Sequence, residues 1–146
     1  MAAVDDPYDL ARFVTAQAPV YASVLAELRR GRKESHWIWF IFPQLAALGH
    51  SATAKHFGIS SLAEARAYLA HPVLGPRLRE CATLLLETGA RDIEEILSYP
   101  DNLKLNSSMT LFAAATADNA VFRDVIKRFF GGKPDAVTLR LLQEGS

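Results

Sequence analysis

"NAVFRDVIKRFFG", residues 119–131, decides the fold class. Phe122, Val125, Ile126 and Phe129 recur at intervals of three and four, so they fall on one stripe of a helix. Asp118 stands just ahead as the expected N-cap, and Gly131 stops the pattern where a left-handed residue closes a helix.

The same period runs outward in both directions. Downstream, Asp135 is placed to cap "AVTLRLLQE". Upstream, Asp101 heads "NLKLNSSMTLFAAA", where Leu105, Met109 and Phe112 make one stripe while Leu103 and Leu111 occupy other faces. That helix is expected to be buried nearly all round. Asp92 heads a short "IEEIL", and "RLRECATLLLE" ends at Gly89. Ser61 and Glu64 open "SLAEARAYLA" at capping-box spacing. Ser51 is placed to cap "ATAKHF". In "PVYASVLAELRR", opened by Pro19 and closed by Gly31, Val20, Val24 and Leu28 recur at a spacing of four. Asp9 is the expected cap of "LARFVTAQA".

No segment alternates in the strand manner, no hairpin turn separates alternating runs, and the connections are short. These patterns predict an all-α fold, a single compact domain of about eight or nine short helices. It is expected to occupy residues 1–146 with a core of about 6–142, the first few residues and the final "EGS" being frayed.

Composition narrows the function classes. Sixteen lysines and arginines balance sixteen aspartates and glutamates, so the net charge is zero. A general nucleic-acid binder carries a basic excess, so nucleic acid is an unfavoured partner; the run Arg29–Lys33, "RRGRK", reads as a solvated helix end. Cys81, the only cysteine, sits in an apolar helical context and reads as a buried, inert thiol. No apolar run reaches the ~20 residues that span a bilayer, and the N-terminus lacks a secretion signal, so a cytoplasmic location is expected. HExxH, CxxC and EF-hand patterns are absent; no metal or cofactor is expected.

One stretch breaks the helical rule. "GRKESHWIWFIFPQLAALG", residues 31–49, carries cations, a serine and a histidine into two tryptophans, then a proline. With Ser35 as N-cap, His36, Trp39 and Pro43 share a stripe. Pro43 lies too deep for a first turn, so the helix should break there and free the Trp39 carbonyl, for which Gln44 is the nearest donor. Backbone amides at a helix start favour an anion, so Lys33, Ser35 and the helix N-terminus form a candidate phosphate or carboxylate site. Trp37 or Trp39 would supply a stacking wall. The bland alternative is two core tryptophans, an interior His36, and Arg32 and Lys33 in water. A solvated Lys33 makes Lys33→Ala the cleaner probe of the site, since its loss would leave the fold untouched.

A second polar strip lies in residues 102–115, where Lys104, Ser107 and Ser108 share a face. They either line a cavity or, for the hydroxyls, bond back to carbonyls one turn earlier. His71, before Pro72 at a helix entrance, is a turn residue or a proton-transfer group; His50 and His56 should be solvent-exposed. A Ser-His-Asp set can be assembled from composition alone, but no nucleophile elbow supports it.

Three stretches, "DPYDLARFVTAQAPVYASVLAELRRGRKESHWIWFIFPQL", "ISSLAEARAYLAHPVLGPRLRE" and "PDNLKLNSSMTLFAAA", carry a family resemblance. The chain resembles the small bacterial family catalogued as a domain of unknown function, number 1810, over residues 6–142. Its members are sometimes labelled calpastatin, a label for which this sequence offers no support. The resemblance implies a compact all-helical domain and transfers no reaction. The family pattern matches at Lys33, Ser35, His36, Trp37, Trp39, Gln44, His71, Lys104, Ser107 and Ser108, among others. Ile38 stands where members often carry methionine.

The resulting expectation is a pocket for a small anionic ligand, nucleotide-like or phosphorylated. Lys33 and Ser35 would hold the anion, Trp37 or Trp39 would stack, and Lys104, Ser107 and Ser108 would form the opposite wall. His36 or His71 would move a proton if chemistry occurs; no reaction class follows from these residues. The rival from another class is a non-catalytic module presenting a helical groove to a partner protein of unknown identity.

Overall fold

The computed structural model describes residues 5–145, so residues 1–4 and Ser146, both in stretches expected to fray, lie outside it, whereas Glu144 and Gly145 of the final "EGS" continue the last helix. Among the described residues nine α-helices follow in order: α1 Ala11–Gln17, α2 Tyr21–Arg30, α3 Ile38–Ile41, α4 Ala52–His56, α5 Leu62–Ala70, α6 Leu74–Glu87, α7 Asp101–Ala115, α8 Ala120–Phe130 and α9 Ala136–Gly145. Single 3-10 turns cover Ala46–Leu48 and Ile93–Glu95. Among the described residues there is no strand; one isolated bridge joins Leu45 to Ile59. No helix there is long and apolar enough to cross a membrane.

The core gathers around α7. This helix packs on α8 and α5, α6 closes the other side of both, and α2 lies against α6. Leu105, Met109, Leu111 and Phe112 are all fully buried, as a helix apolar on several faces must be. From α8, Phe122 and Val125 enter the same core, and Gly131 adopts φ 62° to close the helix. Gly75 has a different reason to be glycine. A Cβ there would stand 2.1 Å from the carbonyl oxygen of Leu69, so α5 and α6 could not meet this closely. Cys81 is buried, and burial pushes its thiol up to about 12, which suits an inert core residue.

Several caps stand where local sequence puts them. Ser51 accepts from the Ala54 amide, Ser61 from Glu64, and Asp135 from Thr138. Asp92 makes a reciprocal capping box with Glu95. Others differ. The oxygens of Asp6, not Asp9, receive the Leu10 and Ala11 amides, because Asp9 itself turns to φ 50°. Asp118 makes no cap; the N-cap of α8 is Asn119, without a side-chain bond. Asp101 is the first residue of α7, but its carboxylate points to two lysines instead of to backbone amides.

Candidate functional site

Residues 31–37 do not begin a helix. Gly31, at φ 74°, ends α2, and the chain doubles back so that the Lys33 amide donates to the Ile96 carbonyl at 2.8 Å. This return wraps the segment around Glu27, a buried carboxylate on the inner face of α2. Glu27 Oε1 accepts from the amides of Glu34 at 2.6 Å and Ser35 at 2.9 Å, and from Trp37 Nε1 at 3.0 Å. The Ser35 hydroxyl donates to Oε2 at 2.7 Å. Burial opposes ionisation of Glu27, but these donors outweigh it and hold the carboxyl down to about 2.

The expected N-cap at Ser35 is therefore corrected. The helix starts at Ile38, with Trp37 as its cap residue and no side-chain bond. Four residues are too few to present a dipole-bearing N-terminus. The anion that sits among the donors of this segment is the protein's own Glu27.

Pro43 stops α3 as expected: the helix ends at Ile41, and Phe42 leaves it at φ −123° and ψ 72°. The freed carbonyl that gains a side-chain donor is that of Phe40, and the donor is Gln17 Nε2 at 2.7 Å, not Gln44. Gln44 instead offers its backbone carbonyl to the Ile59 amide at 2.9 Å.

Lys33 and Lys104 do come together. Lys33 Nζ lies 2.8 Å from Asp101 Oδ2, and Lys104 Nζ lies 3.7 Å from Asp101 Oδ1. Each ammonium also stands over an indole: Lys33 is 5.2 Å from the Trp37 ring centroid, and Lys104 is 5.3 Å from that of Trp39. Trp37 is fully buried, while Trp39 is half-buried. Lys33 is not the solvated lysine of the sequence reading; its side chain is 9% exposed, against 25% for Lys104. The group thus holds two positive charges on one negative charge, against two aromatic faces.

Ser107 and Ser108 of α7 are both buried and form no open wall. Ser107 bonds back to the Leu103 carbonyl at 3.2 Å, as hydroxyls inside helices do. Ser108 is completely buried, one turn beyond Lys104 on the same face, and its Oγ has no protein partner. Asn102 Oδ1, also buried, has none either.

The two histidines are not brought together. His36 is exposed, and its side chain makes no hydrogen bond or ion pair among the described residues. His71 sits where α5 meets α6, and its Nδ1 accepts from the amides of Val73 at 3.1 Å and Leu74 at 3.3 Å. It lines a separate cleft of about 540 Å³ with Asp6, Tyr8, Val14 and Ala67. Among the described residues no group of three or more His, Cys, Asp or Glu could hold a metal.

Sequence reasoning passed over the buried polar groups that shape this region. Glu27 lies between Val24 and Leu28 on the apolar stripe of α2, so an acid on a core-facing position was the signal available. Arg12, 52 residues away from Glu64 in sequence, gave no comparable signal.

The sequence profile of a family described as "Protein of unknown function (DUF1810)" matches residues 7–142. A crystal structure, that of the conserved hypothetical protein Rv1873 from Mycobacterium tuberculosis, is 57% identical and superposes with a TM-score of 0.93. The match covers 94% of this chain and 99% of that one. No curated protein matches.

Proposed function

The chain belongs to the DUF1810 family of proteins of unknown function, and from that premise we propose that it binds a small anionic, nucleotide-like or phosphorylated ligand on the face built by Lys33, Trp39 and Lys104. One observation carries the reading: two ammonium groups share a single carboxylate, Asp101, so one positive charge is left without an anion. Lys104 is the more weakly held member. Its 3.7 Å hold on Asp101 is loose, and its side chain is the more exposed of the two. A ligand anion would take Lys104, while a planar group would lie on the half-buried Trp39. Trp37 and Lys33 form the buried support. Ser108, with no protein partner for its hydroxyl, and Ser107 are the buried hydroxyls of the set. His36, exposed on the preceding segment, is the proton-transfer residue if chemistry occurs. Ser35 and His71 leave the set, because their polar groups serve Glu27 and the start of α6; Gln44, whose side-chain amide makes no hydrogen bond among the described residues, stays in it.

The test is an anion screen with phosphate, sulfate and mononucleotides at low salt, read by tryptophan emission and thermal midpoint. A ligand at about a hundred times its Kd adds ~2.7 kcal/mol to the folded state. Lys104→Ala should abolish that gain with little effect on the unliganded midpoint. It replaces Lys33→Ala as the probe, since Lys33 is the buried partner of Asp101. An anion response that survives Lys104→Ala would overturn the reading.

The interaction-module alternative has an observation of its own. Tyr99 is 71% exposed and Leu103 51%, both beside the start of α7. If no anion responds, photo-crosslinking from position 103 in cells separates a protein-docking face, which returns one defined partner, from an inert surface.

A further inference from the structure

We propose that the cleft between α7, α8 and α9 is a second ligand site, fitted to a monoanionic amphipath: a carboxylate head on a plain hydrocarbon body. It is independent of the Lys33–Lys104 face.

The cleft measures about 800 Å³, within the roughly 300–1,000 Å³ of small-molecule sites. Small residues make the room. Ala113 and Ala114 from α7, Ala120 from α8 and the pair Gly131 and Gly132 carry at most a methyl into it. Ile126 and Leu139 add apolar surface, and Leu139, though apolar, remains 37% exposed there.

The polar groups of the floor are already engaged. The Thr110 hydroxyl accepts from the Asp135 amide at 2.8 Å and approaches Asn106 Oδ1 at 3.5 Å. The Gly132 amide donates to the Ile126 carbonyl at 3.1 Å. A ligand body carrying its own hydrogen-bonding groups would bury them without partners, which is unfavourable. A hydrocarbon loses nothing there and covers Leu139.

The rim fixes the head group. Arg123 and Lys127 stand one turn apart on α8, both exposed, and neither side chain makes a hydrogen bond or ion pair among the described residues. Nearby arginines behave otherwise. Arg79 donates to the Asp118 carbonyl, and Arg128 to those of Leu86, Thr88 and Ala90. Two free cations with Asp124 beside them leave one net positive charge, which suits a monoanion better than a dianion. The arginine fork matches a carboxylate in two-point contact.

The experiment compares decanoate, decanol and decylammonium against the full chain, by amide NMR and thermal midpoint. Decanoate should perturb α7, α8 and α9 amides and bind at least tenfold tighter than decanol, with decylammonium weaker still. Arg123→Gln with Lys127→Gln should reduce decanoate affinity tenfold or more and leave decanol unchanged. Ala114→Phe and Ala120→Leu, at exposed positions, each fill the cleft; either should remove binding while the unliganded midpoint holds. Equal binding of decanol and decanoate overturns the head-group assignment. Decanoate binding that survives both filling substitutions, or shifts that centre on Trp39, overturns the site. Because the readout excludes Lys104, failure here leaves the anion face standing, and the reverse also holds.

Discussion

The indole N–H of Trp37 donates to Oε1 of Glu27 at 3.0 Å, joining the return segment to the last turns of α2. Glu27 titrates at about 2 when folded, against an ordinary 4.5. A depressed carboxyl stabilises the fold fully above its unfolded value and loses that contribution as pH falls through the folded one. The loss therefore runs from pH 4.5 down to about 2, and amounts to about 3 kcal/mol. Glu27→Gln should cost about 2–3 kcal/mol at neutral pH, and its acid unfolding curve should be flatter across that window. Urea midpoints measured from pH 7 to pH 2 check both; parallel curves for the two proteins would contradict the assignment.

Arg12 ties three segments with one guanidinium. Nη2 reaches Glu64 Oε2 at 2.8 Å and the Gly58 carbonyl at 2.9 Å, Nε the His56 carbonyl at 2.8 Å, and Nη1 the Tyr8 and Asp9 carbonyls at 2.6 and 2.8 Å. A lysine keeps the charge but cannot address five acceptors from one plane. Arg12→Lys should lose about 2 kcal/mol, seen as a lower urea midpoint at an unchanged slope.

What local chemistry decides was readable, and what distant residues decide was not. The stripe of α8 and the caps at Ser51, Ser61, Asp92 and Asp135 need only neighbours within four positions, so their pattern is written in short stretches. Ser35 has the same capping chemistry, yet Glu27 competes for it from the previous helix and wins with four donors around a buried charge. Asp101 was equally plausible as a cap until Lys33 arrived from the far end of the chain. The break at Pro43 followed from proline's missing amide; which side chain answers the freed carbonyl depended on α1 packing against α3. The partnership of Lys33 with Lys104 was guessed from residue type. Its controlling feature, the shared carboxylate, is a tertiary contact that no spacing encodes.

Gln17 gives that distinction a number. Its Nε2 serves the Phe40 carbonyl at 2.7 Å and the Tyr68 hydroxyl at 3.2 Å from a buried position. Gln17→Leu keeps the volume and leaves a carbonyl at the α3 break without its donor. The expected loss is about 2 kcal/mol. Pro43→Ala should preserve the fold and recover none of it, since an amide at position 43 would face the Trp39 carbonyl and not that of Phe40. Thermal unfolding of the two variants decides; equal midpoints for Gln17→Leu and wild type would show that water replaces the amide.

His71 acts on α6 through an unprotonated Nδ1 that receives two backbone amides. His71→Ala should cost about 1 kcal/mol, the usual loss of a cap, and His71→Asn should recover most of it. Tryptophan emission in the anion screen should be identical for all three proteins. A ligand response that disappears in His71→Asn, with stability intact, would return this histidine to the binding set.

Asp101 makes the sharpest test of the anion face, because its two roles pull in opposite directions. Its carboxylate holds Lys33 at 2.8 Å in a largely buried contact and Lys104 at 3.7 Å. Asp101→Asn leaves two ammonium groups facing each other without an anion, so the unliganded protein should lose about 3 kcal/mol. The same charge removal frees both lysines for an external anion. Phosphate or a mononucleotide should then bind at least tenfold tighter than to wild type and restore much of the lost midpoint, while raising the salt concentration should erase the advantage. Isothermal titration beside thermal unfolding separates the two effects. Lower stability with unchanged anion affinity would make Lys33, Asp101 and Lys104 a structural ion cluster only.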